Sequence, residues 1–213
     1  TLSVVAVDGD DQTGPHRVHS EAFDYLIDSP EELLGRLYDQ EVNLRSRLEQ
    51  ILDETTRVQK DLNDQHKRAA ERITLKSTEP TAAADKGAWD AQLRQLNVAI
   101  SAGAERNLHL IRKNHAECKS IEAAFRDIRE EMVNNRVDSQ TLLDRIDGGI
   151  VAPLKTINDT TYTEVDQRIG LYRLREEQAQ DPRDAINDSL ASVDRLVEQL
   201  KKVLSEMRER ESI

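Results

Sequence analysis

Cysteine is almost absent. Cys118 stands alone in 213 residues, so no internal disulfide can form, and either the cytoplasm or a cysteine-poor bacterial exterior fits. Aromatic residues make up only 3%, which leaves Leu, Ile, Val and Ala to fill the core. No apolar stretch approaches the roughly 20 residues that span a bilayer, and no signal peptide is present. The first residue is Thr rather than Met, so a piece of a longer protein is expected, whose targeting signals this stretch would not report.

Basic runs are missing as well. The chain has 30 Lys and Arg against 41 Asp and Glu, for a net charge of -11, and the basic residues are interspersed with acids throughout. A phosphate backbone or an anionic bilayer would be repelled. That argues against nucleic-acid binding and against a membrane-bending module with a cationic concave face. Catalytic signatures are missing too: no Gly-x-Ser-x-Gly elbow, phosphate-cradling glycine loop, His-Glu-x-x-His helix or Cys-x-x-Cys pair occurs. No enzyme activity, cofactor or metal is expected.

What is present is a repeat. From Ser29 onward apolar side chains recur at steps of three and four, the spacing of long, laterally packed helices. Ser29-Pro-Glu-Glu32 reads as a capping box with Pro30 at the first helical position. A first seam follows through Leu37, Glu41, Leu44, Leu48, Ile51, Thr55, Val58, Leu62, Gln65, Ala69 and Ile73. A second runs Trp89, Leu93, Leu96, Ile100, Ala104, Leu108, Ile111, His115, Cys118, Ile121, Phe125, Ile128 and Met132. The third carries Leu143, Ile146, Ile150, Leu154, Ile157, Thr161, Val165, Ile169 and Tyr172. The fourth opens at Asp181-Pro182 and holds Ile186, Leu190, Val193, Val197, Leu200, Leu204 and Met207. With 37% hydrophobic and 33% charged residues, the composition suits a solvated helical rod better than a sphere.

The expected fold is therefore all-α: an elongated antiparallel bundle of three to four long coiled-coil-like helices, over 29–76, 84–134, 139–178 and 183–211. Short connections make consecutive helices antiparallel neighbours. The fourth seam is shorter and still periodic where the chain stops, which predicts association with a second copy or with another helical protein. Residues 1–28 differ. Leu2–Val7 is β-branched, Phe23, Tyr25 and Ile27 alternate, and loop chemistry lies between. The expectation is a two-stranded segment pairing 2–7 with 22–27, with Asp8–Ser20 as its loop, ahead of a bundle at 29–213.

Candidate sites are few. His115 and Cys118 sit one helical turn apart, as metal ligands could, but two ligands make no site and both fall on the seam. Asp8-Gly-Asp10-Asp11 resembles a calcium loop without the order or the closing Glu of an EF-hand, and reads as a solvated turn. Asn158-Asp-Thr160 and Asn187-Asp-Ser189 match a glycosylation tripeptide inside predicted helices. The sharpest irregularity is Gly148-Gly149 followed by Pro153, because the proline cannot donate to the carbonyl of Gly149 and crowds it. These three residues are the candidate hinge, and a kink of roughly 20° or more is expected there.

A strand ending in Val5-Ala-Val-Asp-Gly9, a second strand, then Ser29-Pro-Glu-Glu-Leu-Leu34 resembles the end of an immunoglobulin-like repeat running into the helical tail of large, uncharacterised, membrane-anchored bacterial proteins. Arg145-Ile146, Ile150 and Pro153-Leu154 resemble a recurrent element of such tails. The resemblance implies an extracytoplasmic structural or protein-interaction role, with no catalytic residues to carry over. Two alternatives stand beside it: a sensor-type bundle that binds a small ligand between helices near Pro153, and a cytoplasmic coiled-coil scaffold.

Overall fold

The structure is a computed structural model that describes residues 2–9, 12, 14–24 and 29–208. It is 82% helical, with four helices and a short two-stranded sheet. Packing divides the chain into two units, Thr1–Arg36 and Leu37–Ile213.

In the first unit, β1 (Val5–Val7) pairs antiparallel with β2 (Arg17–His19), setting Val5 opposite His19, Ala6 opposite Val18 and Val7 opposite Arg17. A lone bridge joins Leu2 to Phe23. The expected pairing of 2–7 with 22–27 is thus corrected. The second strand begins earlier, because Asp8 closes the turn itself: its carboxylate accepts from the His16 amide at 2.8 Å and contacts the His16 ring at 3.0 Å. Gly14 supplies the positive φ of +88° that this tight loop needs. Asp10, Asp11, Tyr25 and Ile27 lie outside the described residues. The Ser29 capping box forms in both directions, with the Ser29 amide donating to Glu32 at 2.9 Å and the Glu32 amide donating to the Ser29 hydroxyl at 3.2 Å. That bonding holds the Glu32 carboxyl below its ordinary range.

Helix α1 (Pro30–Ser77) is followed by α2 (Ala83–Asn134). Helix α3 covers residues 140–177 and is not uniform. Its α-helical stretches Gln140–Asp144, Ala152–Thr156 and Tyr162–Glu177 are joined by π-helical stretches Arg145–Val151 and Ile157–Thr161. Helix α4 is Arg183–Arg208. In the second unit the ion pairs run in opposite senses along successive helices: Arg47–Glu117 and Lys113–Glu54, Arg129–Asp147 and Arg112–Asp166, Arg195–Glu164 and Arg168–Asp188. Arg208–Glu49 and the bond from Gln59 to Asp194 close α4 back on α1. The arrangement is an up-down-up-down four-helix bundle.

The seams supply its core. Leu37, Leu48, Leu62, Ile100, Ile121, Phe125, Ile146, Ile150, Leu154, Ile169, Val193 and Leu200 are fully buried. A Cβ at Gly103 would overlap the buried Gln65 amide, so any larger residue there would have to displace that side chain. The helix ends are closed by specific bonds. The Ser139 hydroxyl accepts from Leu142 at 3.3 Å, Asp181 accepts from the Arg183 amide at 3.1 Å, and the Trp89 indole donates to the Leu75 carbonyl at 2.9 Å. Helices α2 and α3 end in left-handed residues that are not glycine, Arg136 at φ 56° and Ala179 at φ 55°. Paired bonds from Val137 to Met132 and Arg136 to Val133, then from Gln180 to Arg175 and Ala179 to Glu176, make each end a Schellman turn.

Candidate functional site

The chemistry of the bundle gathers along α3, at its two π-helical stretches. In a π turn each amide donates five residues back rather than four, so one carbonyl per stretch loses its ordinary donor. At the second stretch the Tyr162 amide donates to Ile157, and the Asn158 carbonyl is left without its α-helical partner. His115, from α2, takes that place: its Nε2 lies 2.9 Å from the Asn158 oxygen. A carbonyl can only accept, so the ring carries a proton on Nε2, and desolvation holds its pKa below the ordinary value. The His115 ring stacks on Tyr162 with centroids 4.7 Å apart.

This cluster is polar but closed. The Asn158 side-chain amide donates to Glu122 at 2.7 Å, and Glu122 pairs with Arg126 at 2.5 Å. Burial, reinforced by Glu122 and Glu117, pushes the Cys118 thiol up to about 12, so it sits in the core as an uncharged small hydrophobe. Burial likewise pushes the Tyr162 phenol well above its ordinary range. Among the described residues no group of three or more His, Cys, Asp or Glu side chains could hold a metal. Of the two glycosylation tripeptides, Asn158 is buried in the π stretch and Asn187 lies in α4.

The first π stretch has a different outcome. It contains Gly148 and Gly149, and it ends one residue before Ala152-Pro153. The Ala152 amide donates to Asp147, and Pro153 has no N–H, so the Gly148 carbonyl has an amide donor at neither spacing. The backbone stays helical through the join, at φ −66°, ψ −48° for Val151 and φ −64°, ψ −43° for Ala152. The proline is therefore accommodated by a widened turn rather than by a break.

Beside that turn lies a groove between α3 and α4 of about 360 Å³, lined by Gly148, Gly149, Pro153, Thr156, Ile157, Gln199, Lys202, Val203 and Glu206. All three candidate hinge residues line it. Ile157 and Val203, each 1% exposed, form an apolar floor with Pro153. A Cβ added at Gly149 would lie 3.2 Å from a Glu206 carboxylate oxygen, which places that carboxylate over the widened turn, while nothing lies within 4 Å of the Gly148 position.

Two buried ion pairs bracket these features. Arg72 of α1 and Glu176 of α3 form a bidentate pair at 2.7 and 2.6 Å, with side chains 7% and 3% exposed, and Arg72 also donates to Asn97. Arg145 donates to Glu41 at 2.6 Å through Nη2, while its Nε and Nη1 are buried with no partner among the described residues. No protein-family model, curated protein or solved structure matches this chain. Among the described residues no helix is long and apolar enough to cross a membrane.

Proposed function

We propose that this chain is a non-catalytic structural or protein-interaction module of a larger bacterial extracytoplasmic protein. The observation that carries the reading is the apolar face of the two-stranded ribbon. Residues paired directly across an antiparallel ladder lie on one face, so Ala6 and Val18 share a face, and Leu2 and Phe23 face the same way as each other. Leu2 is 60% exposed, Val4 64%, Val18 69% and Phe23 55%. Two strands alone are marginal in water, and an exposed patch of this kind marks a surface that another protein covers. The extracytoplasmic placement rests on the resemblance of the strand-to-helix junction to the tails of membrane-anchored bacterial proteins.

The partner to test first is a second copy. Light scattering on the full chain is expected to give a mass near twice 24.2 kDa, and a V4K/V18K variant is expected to return the monomer mass with unchanged helical circular dichroism. A monomer mass for the parent chain across a wide concentration range would refute self-association. A dimer that survives the double substitution would show that the ribbon is not its interface.

A further inference from the structure

We propose that the groove between α3 and α4 at Gly148, Gly149 and Pro153 is a binding site for a small aliphatic ammonium cation. The two π stretches supply the comparison. Each frees a backbone carbonyl. In the closed core, the Asn158 carbonyl is satisfied by an N–H from His115. In the groove, the Gly148 carbonyl has neither amide donor, and Gly148 itself is exposed. The site therefore asks for an external hydrogen-bond donor.

The surroundings fix the donor's charge. The Glu206 carboxylate lies over the same turn, and Glu206 makes no ion pair among the described residues. An ammonium group can donate to the Gly148 carbonyl and the Glu206 carboxylate together, and both bonds are strengthened by charge. Its alkyl tail would lie on Pro153, Ile157 and Val203. A groove of about 360 Å³ is at the small end of ligand pockets, which fits a short chain and excludes a large ring system. Lys202, at the mouth one turn from Glu206, is the internal competitor for that carboxylate and would repel an incoming cation.

The test is a titration of the full chain followed by amide chemical shifts, with n-pentylammonium, n-pentanol and pentanoate as probes of one shape and three charges. Saturable shifts confined to the segments around Gly148–Ile157 and Gln199–Glu206 are expected with pentylammonium. Glu206→Gln is expected to weaken binding roughly fivefold, the worth of a half-exposed ion pair, and Lys202→Ala to leave it equal or tighter. Far-ultraviolet circular dichroism of each variant checks that the bundle is intact. The proposal is overturned if pentanoate binds better than pentylammonium, which would make Lys202 the anchor. It is also overturned if pentanol binds as well, or if Glu206→Gln changes nothing. Shifts spread over the acidic surface and abolished by salt would equally sink it.

Discussion

Removing the Glu176 carboxylate should destabilise the bundle more than any other single charge deletion. Arg72 and Glu176 are joined by two hydrogen bonds at 2.7 and 2.6 Å and are almost fully out of solvent. Glu176→Ala strands a guanidinium in the core with Asn97 as its remaining hydrogen-bond partner among the described residues. Breaking one side of such a pair costs about 3–5 kcal/mol, because the remaining charge keeps its desolvation penalty. For a bundle of this size that corresponds to a melting-point drop of roughly 10 °C. The pair is shielded, so the loss should be nearly independent of added salt, unlike that of exposed pairs such as Lys201–Glu198. Urea unfolding of the parent, Glu176→Ala, Arg72→Met and the double Arg72→Met/Glu176→Leu variant tests the reasoning. Each single change should be costly, and the double variant should recover most of the loss, since apolar replacement of a buried pair is often neutral. A loss under about 1 kcal/mol for Glu176→Ala would show that the pair behaves as a surface ion pair and would refute the argument.

His115 should make the bundle acid-sensitive. Its folded pKa lies below the ordinary histidine value of about 6.5 through desolvation, so its contribution is complete above that value and is lost as pH falls through the folded pKa. His115→Ala also uncaps the Asn158 carbonyl and should cost about 2 kcal/mol by urea unfolding, with the acid-sensitive component gone. A pH profile unchanged by the substitution would exclude this histidine as its source. Ala179→Gly removes a left-handed alanine at φ 55° and should stabilise by about 1 kcal/mol in the same assay. Destabilisation instead would mean that the α3 Schellman turn is held by more than its backbone.

The legible part of the fold was the part decided by periodicity and capping. Every member of the third seam from Ile146 to Tyr172 is buried, and Ser29, Ser139 and Asp181 cap where oxygen-bearing side chains precede apolar periods. The hairpin register was misplaced because the alternation of Phe23, Tyr25 and Ile27 outweighed the short Arg17–His19 run. Only tertiary detail, the Asp8–His16 closure, decides between them. The buried polar residues Arg72, Asn107, Asn114 and Asn158 were also missed. A seam is read from apolar positions, and a polar side chain one step off it looks solvated until a partner on another helix is known.

The π stretches did leave a trace in the spacing. Ile157, Thr161, Val165 and Ile169 follow one another in three steps of four, and each such step overshoots an α-helical stripe by about 40°. Over the first step the wider turn Ile157–Thr161 absorbs the overshoot, while the other two steps run into the α-helical stretch Tyr162–Glu177. Ile146, Ile150 and Leu154 also follow in steps of four across the glycines, and all three are fully buried. This bears on what Gly148, Gly149 and Pro153 can do. Bending α3 there would pull a sealed apolar seam out of the core on one side or the other, which is costly at about 25 cal/mol per Å² exposed. A change in what occupies the groove opposite Glu206 requires no such exposure. The glycines and the proline are therefore better suited to lining the groove than to acting as a swivel, and the Gly148 carbonyl, with an amide donor at neither spacing, is the feature through which the proposed site would act.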